Sequence, residues 1–172
     1  KSLLFQQCKV GVVNHDDPQI DAILKNHTCQ VHTICFEAGA DVLVKGYENV
    51  KHPGYIGVRY TVKGKLKMEI TFVSPGKFTI YDSLAGAYVC SMIGVDHAVI
   101  SKALEEIEIR GRVETVKIDA PYTVILDFAH NGIGVQNLIA AVKEYDPGRI
   151  IAVFGSDGNR TKIRRADAGE IL

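Results

Sequence analysis

Apolar residues fall in short runs broken by polar, glycine and proline punctuation, and the period of those runs changes along the chain. Lys9-Val-Gly-Val-Val13 is the near-continuous apolar stretch that a buried strand presents. Asn14-His-Asp-Asp-Pro18 ends it and caps a short helix with apolar positions Ile20, Ile23 and Leu24. A parallel-sheet layer is expected to begin there. Gln30 to Phe36 and Asp41 to Tyr47 are the next strands, and Ile56 to Val62 and Leu66 to Val73 alternate around Lys63-Gly-Lys65, a hairpin signature. After Ser74-Pro-Gly76 the spacing lengthens. Ile80, Leu84, Ala87, Tyr88 and Ser91 to Ile93 follow a helical period, and Val99, Leu104 and Ile107 mark a second helix.

Gly111-Arg112 breaks that pattern, and a new series follows. It comprises the apolar strand Tyr122-Thr-Val-Ile-Leu126, a helix from Gly132 to Tyr145, the break Asp146-Pro-Gly148, the strand Arg149-Ile-Ile-Ala-Val-Phe154 and the loop Gly155-Ser-Asp-Gly-Asn-Arg160. Strand, helix, strand and loop make a βαβ unit, so the fold class is α/β. The change of series places a domain boundary near residue 110, dividing the chain into 1–110 and 111–172. No internal repeat or low-complexity tract is visible.

Composition narrows the function classes. With 20 basic and 20 acidic side chains in 172 residues, nothing suggests a polyanion-binding surface, and nucleic acid is not an expected partner. The apolar runs are far below the roughly 20 residues of a membrane span, and no signal segment is visible, so a soluble protein is expected. Cys8, Cys29, Cys35 and Cys90 have no Cys-x-x-Cys spacing, which argues against a zinc site. They read as reduced and mostly buried, which suits the cytoplasm.

The chemistry concentrates at Asp127-Phe-Ala-His-Asn131, where a strand feeds a helix and side chains and free backbone N–H groups converge on one crevice. Asp127 could hold ribose hydroxyls or an ion-bound water, His130 could donate to a phosphate, and Asn131 could contact nucleotide or simply cap the helix. A dinucleotide-binding oxidoreductase module would need Gly-x-Gly-x-x-Gly, which is absent. The clustered polar strand ends make a noncatalytic interaction module less economical.

The aspartate-aromatic-alanine-histidine strand end, the strand ending Val153-Phe-Gly155, and the run Gly158-Asn-Arg-Thr-Lys-Ile-Arg-Arg165 follow one another in an order that resembles the Mur ligases. Within them the chain most resembles the MurE branch, the UDP-N-acetylmuramoyl-tripeptide synthetases. The resemblance implies the latter part of the central ATP-binding domain over 1–110, and the first half of a Rossmann-like C-terminal domain over 111–172. It implies ATP-driven amide formation through an acyl phosphate, which adds lysine or meso-diaminopimelate to UDP-N-acetylmuramoyl-L-alanyl-D-glutamate in peptidoglycan precursor synthesis. The cofactors implied are ATP and Mg²⁺, the latter neutralising phosphoryl charge. Folylpolyglutamate and cyanophycin synthetases share this architecture; the Gly-Asn-Arg-x-Lys-x-Arg-Arg run favours MurE.

The same resemblance assigns roles by position. Arg112 reaches toward the ATP phosphates, which a planar guanidinium suits, and serves the chemical step with His130. Asp82, Asp127 and Asn131 contact the nucleotide, and Arg160 binds the carboxylate of the incoming amino acid. Lys1, opening Lys1-Ser-Leu-Leu-Phe5, stands where the family carbamylates a lysine that helps hold Mg²⁺; at the end of this chain it is expected to be an ordinary solvated lysine. Three features depart from the branch. Thr79-Ile-Tyr-Asp82 replaces Asn-x-x-Asn, so Asp82 can accept from an adenine amino group but cannot donate to the ring. Asn131-Gly132 replaces Thr-Pro, and Asp157 stands where a small residue is usual. No Gly-x-x-x-x-Gly-Lys-Ser/Thr occurs, since Ser74-Pro-Gly-Lys-Phe-Thr79 has the wrong spacing, and the family places that loop upstream. The chain is therefore expected to be a piece of a longer enzyme, inactive alone and able to self-associate through surfaces left uncovered.

Overall fold

A computed structural model describes residues 1–52, 55–155 and 163–172, and the side chains of these except 52 and 163–165. The chain divides into two compact units. Unit 1 comprises Lys1–Glu48, Arg59–Phe72 and Thr79–Ile107; unit 2 comprises Asn49–Val58, Val73–Phe78 and Glu108–Leu172.

The first elements are α1 (Ser2–Gln7), β1 (Val10–Asn14), α2 (Ile20–Ile23), β2 (Gln30–Cys35), β3 (Val42–His52), β4 (Tyr55–Gly64) and β5 (Met68–Phe72). The strands form one sheet in sequence order, with β1 parallel to β2 in the register Val10 to Gln30 and Asn14 to Ile34, and β2 parallel to β3. The expected parallel layer is therefore present. The hairpin signature at Lys63-Gly-Lys65 also matches the structure: β4 and β5 are sheet neighbours joined by three residues, a connection only an antiparallel pair can make. Gly64 turns there at φ 106°, and a Cβ on it would overlap the Asp41 carbonyl oxygen. Only glycine fits that turn.

Helix α3 (Lys77–Met92) packs one face into unit 1, burying Thr79, Ile80, Ser83, Leu84, Ala87 and Tyr88, and α4 (His97–Glu106) follows, its N-terminus capped by Asp96. Ile34, Val42, Val58, Leu66, Ile70 and Leu84 are almost fully buried across the sheet and α3. Each large aliphatic contributes about 1.5–3 kcal/mol by leaving water. Polar groups on the buried face of α3 are satisfied: the Ser83 hydroxyl donates to the Thr79 carbonyl at 2.9 Å and pairs with the Tyr60 phenol at 2.8 Å. Burial pushes that phenol well above its usual range.

In unit 2, β6 (Glu114–Val116) and β7 (Val124–Leu126) pair antiparallel, and α5 (Gly132–Lys143) and α6 (Ile163–Ile171) complete the elements. The strand expected over Tyr122–Leu126 is shortened to its last three residues. A second expectation fails: residues 149–154 carry no strand, with Ile151 72% and Val153 98% exposed. The apolar alternation there is real, but a strand is completed by a neighbouring ladder, and this segment pairs with none among the described residues. Helix α5 stops two residues short of Tyr145, ahead of the left-handed Asp146 (φ 49°) and Pro147. Its C-terminal end is tied to the 49–58 segment, since Tyr145 donates to the Gly57 carbonyl and Asn49 donates to the Glu144 carboxylate at 3.0 Å.

Candidate functional site

The segment from Asp127 to Asn131 links β7 to α5, and each of its polar side chains has a definite place. Asp127 is half-buried and accepts two backbone N–H groups, Oδ2 from Val113 at 2.8 Å and Oδ1 from Ala129 at 2.6 Å. Both carboxylate oxygens thus clamp the chain, one across to the 111–113 turn and one along its own loop. That turn is strained. Gly111 has φ 68°, and Val113, a buried β-branched residue, has φ 47°, a conformation that costs about 1–3 kcal/mol and persists only where its surroundings impose it. The Asp127 hydrogen bond is one such constraint, and the Glu114 carboxylate, accepting from the Gly111 N–H at 2.7 Å, is another.

Arg112 sits in the middle of this turn. Its guanidinium lies over the Phe128 ring, 5.1 Å from the centroid, and the Phe128 ring meets the His130 ring at 5.1 Å with a 56° tilt. A cation and an imidazole therefore both meet the ring of Phe128, which is 61% exposed. The Nδ1–H of His130 donates to the Phe128 carbonyl at 3.0 Å, which leaves Nε2 as the outward nitrogen; it donates to an anion only in the imidazolium form. Asn131 is the N-cap of α5, in extended geometry (φ −138°, ψ 162°), and its side-chain oxygen accepts from the Gly134 N–H at 2.8 Å. The free N–H groups of the first turn of α5 open beside His130, so positive helix-end potential adds to the two basic groups.

The structure thus brings Arg112, Asp127 and His130 together and gives Asn131 a capping role. Lys1 and Asp82 lie in unit 1. Lys1 is exposed and is the N-cap of α1 without a side-chain capping bond, and Asp82 is exposed on α3, one residue after Tyr81. Tyr81 is itself fixed, donating to Asp16 at 2.7 Å, and Asp16 also accepts from the Phe36 N–H at 2.7 Å. Arg160 lies outside the described residues. Sequence reasoning missed Phe128, whose ring joins Arg112 to His130, and Val113, whose strained backbone holds Arg112 in place. Both adjoin residues it had singled out. The aromatic at 128 was visible in the motif, whereas nothing in a valine announces a positive φ.

Unit 2 also contains a cavity of about 1340 Å³, lined among others by Ile125, Val135, Leu138, Ile139, Val142 and Tyr145. Asp127 and Ala129 reach its wall, but Arg112 and His130 do not. Its wall mixes the aliphatic faces of β7 and α5 with the charged residues Lys51, Lys117, Asp119, Asp127 and Arg149. Among the described residues no group of three or more His, Cys, Asp or Glu is arranged to hold a metal ion.

The site is thus a strand end that delivers an acid and an imidazole to a helix N-terminus. Over 99% of the chain the structure superposes on a solved UDP-N-acetylmuramoyl-L-alanyl-D-glutamate–2,6-diaminopimelate ligase with a TM-score of 0.65 at 20% identity, covering 36% of that protein. Over 81% it superposes on the folylpolyglutamate synthetase of Lactobacillus casei with a TM-score of 0.62 at 18% identity, covering 36% of that chain. Residues 111–172 match the family described as Mur ligase, glutamate ligase domain. In sequence, the chain is 33% identical over 173 residues to the UDP-N-acetylmuramoyl-L-alanyl-D-glutamate–2,6-diaminopimelate ligase of Caldanaerobacter subterraneus subsp. tengcongensis. It is 36% identical over 179 residues to the ligase of the same name from Halalkalibacterium halodurans; each match takes in 99% of this chain. Residues 111–172 thus carry the Mur ligase glutamate ligase domain, and the chain along its length is similar to Mur ligases. It spans about a third of the length of these curated relatives, 35% and 36%.

Proposed function

We propose that this chain is part of an ATP-dependent ligase that adds a diamino acid to UDP-N-acetylmuramoyl-L-alanyl-D-glutamate in peptidoglycan precursor synthesis, and that the amino acid is 2,6-diaminopimelate rather than lysine. The observation that carries the reading is the placing of Arg112 and His130 against one exposed ring, Phe128, just before α5, in a chain 33–36% identical to ligases named for that amino acid. The names of the relatives support diaminopimelate. Folylpolyglutamate synthetase shares the fold at 18% identity and supports the architecture alone.

In this reading Arg112 and His130 bind phosphoryl oxygens of ATP, Arg112 with two parallel N–H donors and His130 through Nε2 as the imidazolium. Bound ATP supplies the phosphoryl group that activates a substrate carboxylate for attack by the amine. Asp127 acts mainly by position, since its two oxygens already hold the turn that carries Arg112. Asn131 sets the start of α5, and Asp82 accepts from the adenine amino group. Arg160 binds the amino-acid carboxylate. Mg²⁺ is the proposed metal, with Lys1 contributing an oxygen ligand only as a carbamate. Among the described residues no group of three or more His, Cys, Asp or Glu gathers to hold the ion. The domain boundary is placed near residue 110; the last crossing between the two units, between Ile107 and Glu108, supports that position, while 49–58 and 73–78 group with the later unit. No described helix is long and apolar enough to cross a membrane, which supports a cytoplasmic location for a nucleotide-linked reaction.

The test is turnover by the whole enzyme, with Arg112→Ala and His130→Ala compared with the unaltered protein, using diaminopimelate and lysine as competing acceptors. The reading expects ADP formation dependent on diaminopimelate, at least ~10-fold slower in each variant, as removal of one positioned donor costs. Equal use of lysine overturns the amino-acid assignment, and full activity in both variants overturns the site.

A further inference from the structure

Helix α1 ends at Gln7, and Cys8 closes it in extended geometry, its N–H donating to the Leu4 carbonyl at 2.9 Å. The residues leading into β2 come back against this helix end. The N–H groups of Thr28 and Cys29 both donate to the Phe5 carbonyl, at 3.1 and 3.4 Å, and the Thr28 hydroxyl donates to the Gln6 carbonyl at 3.1 Å. One residue on, the Gln30 N–H donates to the Lys9 carbonyl at 3.0 Å. Cys29 is therefore pinned between Phe5 and Lys9, the stretch that contains Cys8, and the parallel pairing of Val10 with Gln30 fixes that register. Burial and the Cys8 side chain both raise the titration of the Cys29 thiol, the second as a close neighbour does. Gly11 leaves the room for this, because a Cβ there would lie 2.6 Å from the Phe5 ring and 3.4 Å from the Cys29 sulfur. Cys8 is half-buried and Cys29 is buried, so a reagent in solution meets the pair at Cys8.

We propose that Cys8 and Cys29 form a reversible dithiol–disulfide site, oxidised by low-molecular-weight disulfides of the glutathione class. The Cys8 thiolate attacks one sulfur of the external disulfide, forming a mixed disulfide and releasing one thiolate. Cys29 gives its proton to solvent and attacks the Cys8 sulfur, which closes the intramolecular bond and releases the second thiol. Two protein thiols are oxidised to one disulfide, and the external disulfide is reduced to two thiols. Burial, with the neighbouring Cys8, pushes the Cys29 thiol up, which makes the second step the slower one. The bond would join the end of α1 to the start of β2, segments already tied by backbone hydrogen bonds, so it asks for little backbone movement. Cys35, whose thiol donates to the Glu37 carbonyl, and Cys90 on α3 lie outside the pair.

The chain is equilibrated with mixtures of reduced and oxidised glutathione, its free thiols are trapped by alkylation, and its peptides are mapped without reduction. The expected result is one linked peptide joining Cys8 to Cys29, with Cys35 and Cys90 alkylated and the link lost on adding a dithiol reductant. In Cys29→Ser the expected product is a glutathione mixed disulfide that persists at Cys8. All four cysteines alkylated under oxidising mixtures, a mixed disulfide persisting at Cys8 in the unaltered chain, or linkage to Cys35 or Cys90 would overturn the proposal. The mapping of the unaltered chain decides the matter even where the serine variant fails to fold.

Discussion

At the scale of the residue, two carboxylates show how much of a side chain's work goes into holding backbone. Asp127 reads from sequence as a ligand group, and in the structure both its oxygens are already spent on the N–H groups of Val113 and Ala129. Asp127→Asn would replace one acceptor with an amide NH₂ facing a donor, leaving a partly buried N–H unsatisfied. A loss of about 1–3 kcal/mol is expected in urea unfolding of the chain; a shift within experimental error would mean the clamp contributes nothing. Asp41 was not singled out by sequence, yet it accepts from Lys65 at 2.8 Å and from the Thr33 N–H at 3.0 Å. The Lys65 hydrogen bond holds its carboxyl below the ordinary 3.8, and the same contact raises Lys65 above its ordinary 10.5. A depressed carboxylate stabilises the fold fully above its unfolded value and loses that contribution as pH falls through the lower folded value. A raised amine loses its contribution at the alkaline end. Lys65→Met should therefore be less stable than the unaltered chain across the neutral range, and the gap should close as acid protonates Asp41. An acid-unfolding series on both proteins checks the sign, and a gap that persists at the lowest pH would assign the effect to packing of the lysine stem instead.

At the scale of the element, capping chemistry was legible and ladder completion was not. Asn131 combines a preferred capping side chain, extended geometry and a Gly134 N–H at 2.8 Å, so the sequence placed the start of α5 correctly. Asn131→Ala should cost about 1 kcal/mol while Asn131→Asp retains most of it, read from thermal or urea midpoints. Equal stability of all three would show that packing alone sets the helix start. The strands of the sheet were found because β-rich alternation and turn residues act locally. The extension of β3 through His52 was missed because its polar residues Glu48, Asn49 and Lys51 sit exposed on a ribbon whose identity comes from pairing with β4. The opposite error was made at residues 149–154, where the pattern is strand-like and no ladder is present. The two misses share a cause: a strand is defined by its neighbour, and a window on one segment does not contain it. Helix α1 was missed because six residues with five apolar or amide side chains in a row give too little periodicity to register.

At the scale of the whole molecule, unit 2 is the part whose own elements leave most apolar surface uncovered. Ile133, Ile151 and Val153 are 74%, 72% and 98% exposed, and Tyr122, Leu126 and Phe128 are each more than half exposed. Monomeric proteins scatter such residues singly, whereas Ile151 and Val153 lie in one segment that joins no ladder among the described residues, and an unpaired apolar segment is the usual template for another chain. The chain on its own should therefore self-associate. Burying a large aliphatic yields about 1.5–3 kcal/mol, and association costs at least ~4 kcal/mol before any net affinity appears, so the expected assembly is weak and concentration-dependent rather than a tight dimer. Sedimentation velocity over a wide concentration range should show the average mass rising with concentration. The double substitution Ile151→Lys and Val153→Lys should return it to monomer without lowering the unfolding midpoint, because neither side chain contributes to the core. A monomer at every concentration would overturn the expectation. Restored monomer accompanied by lost stability would show instead that these two residues are buried in solution, as a strand docked on a ladder would be.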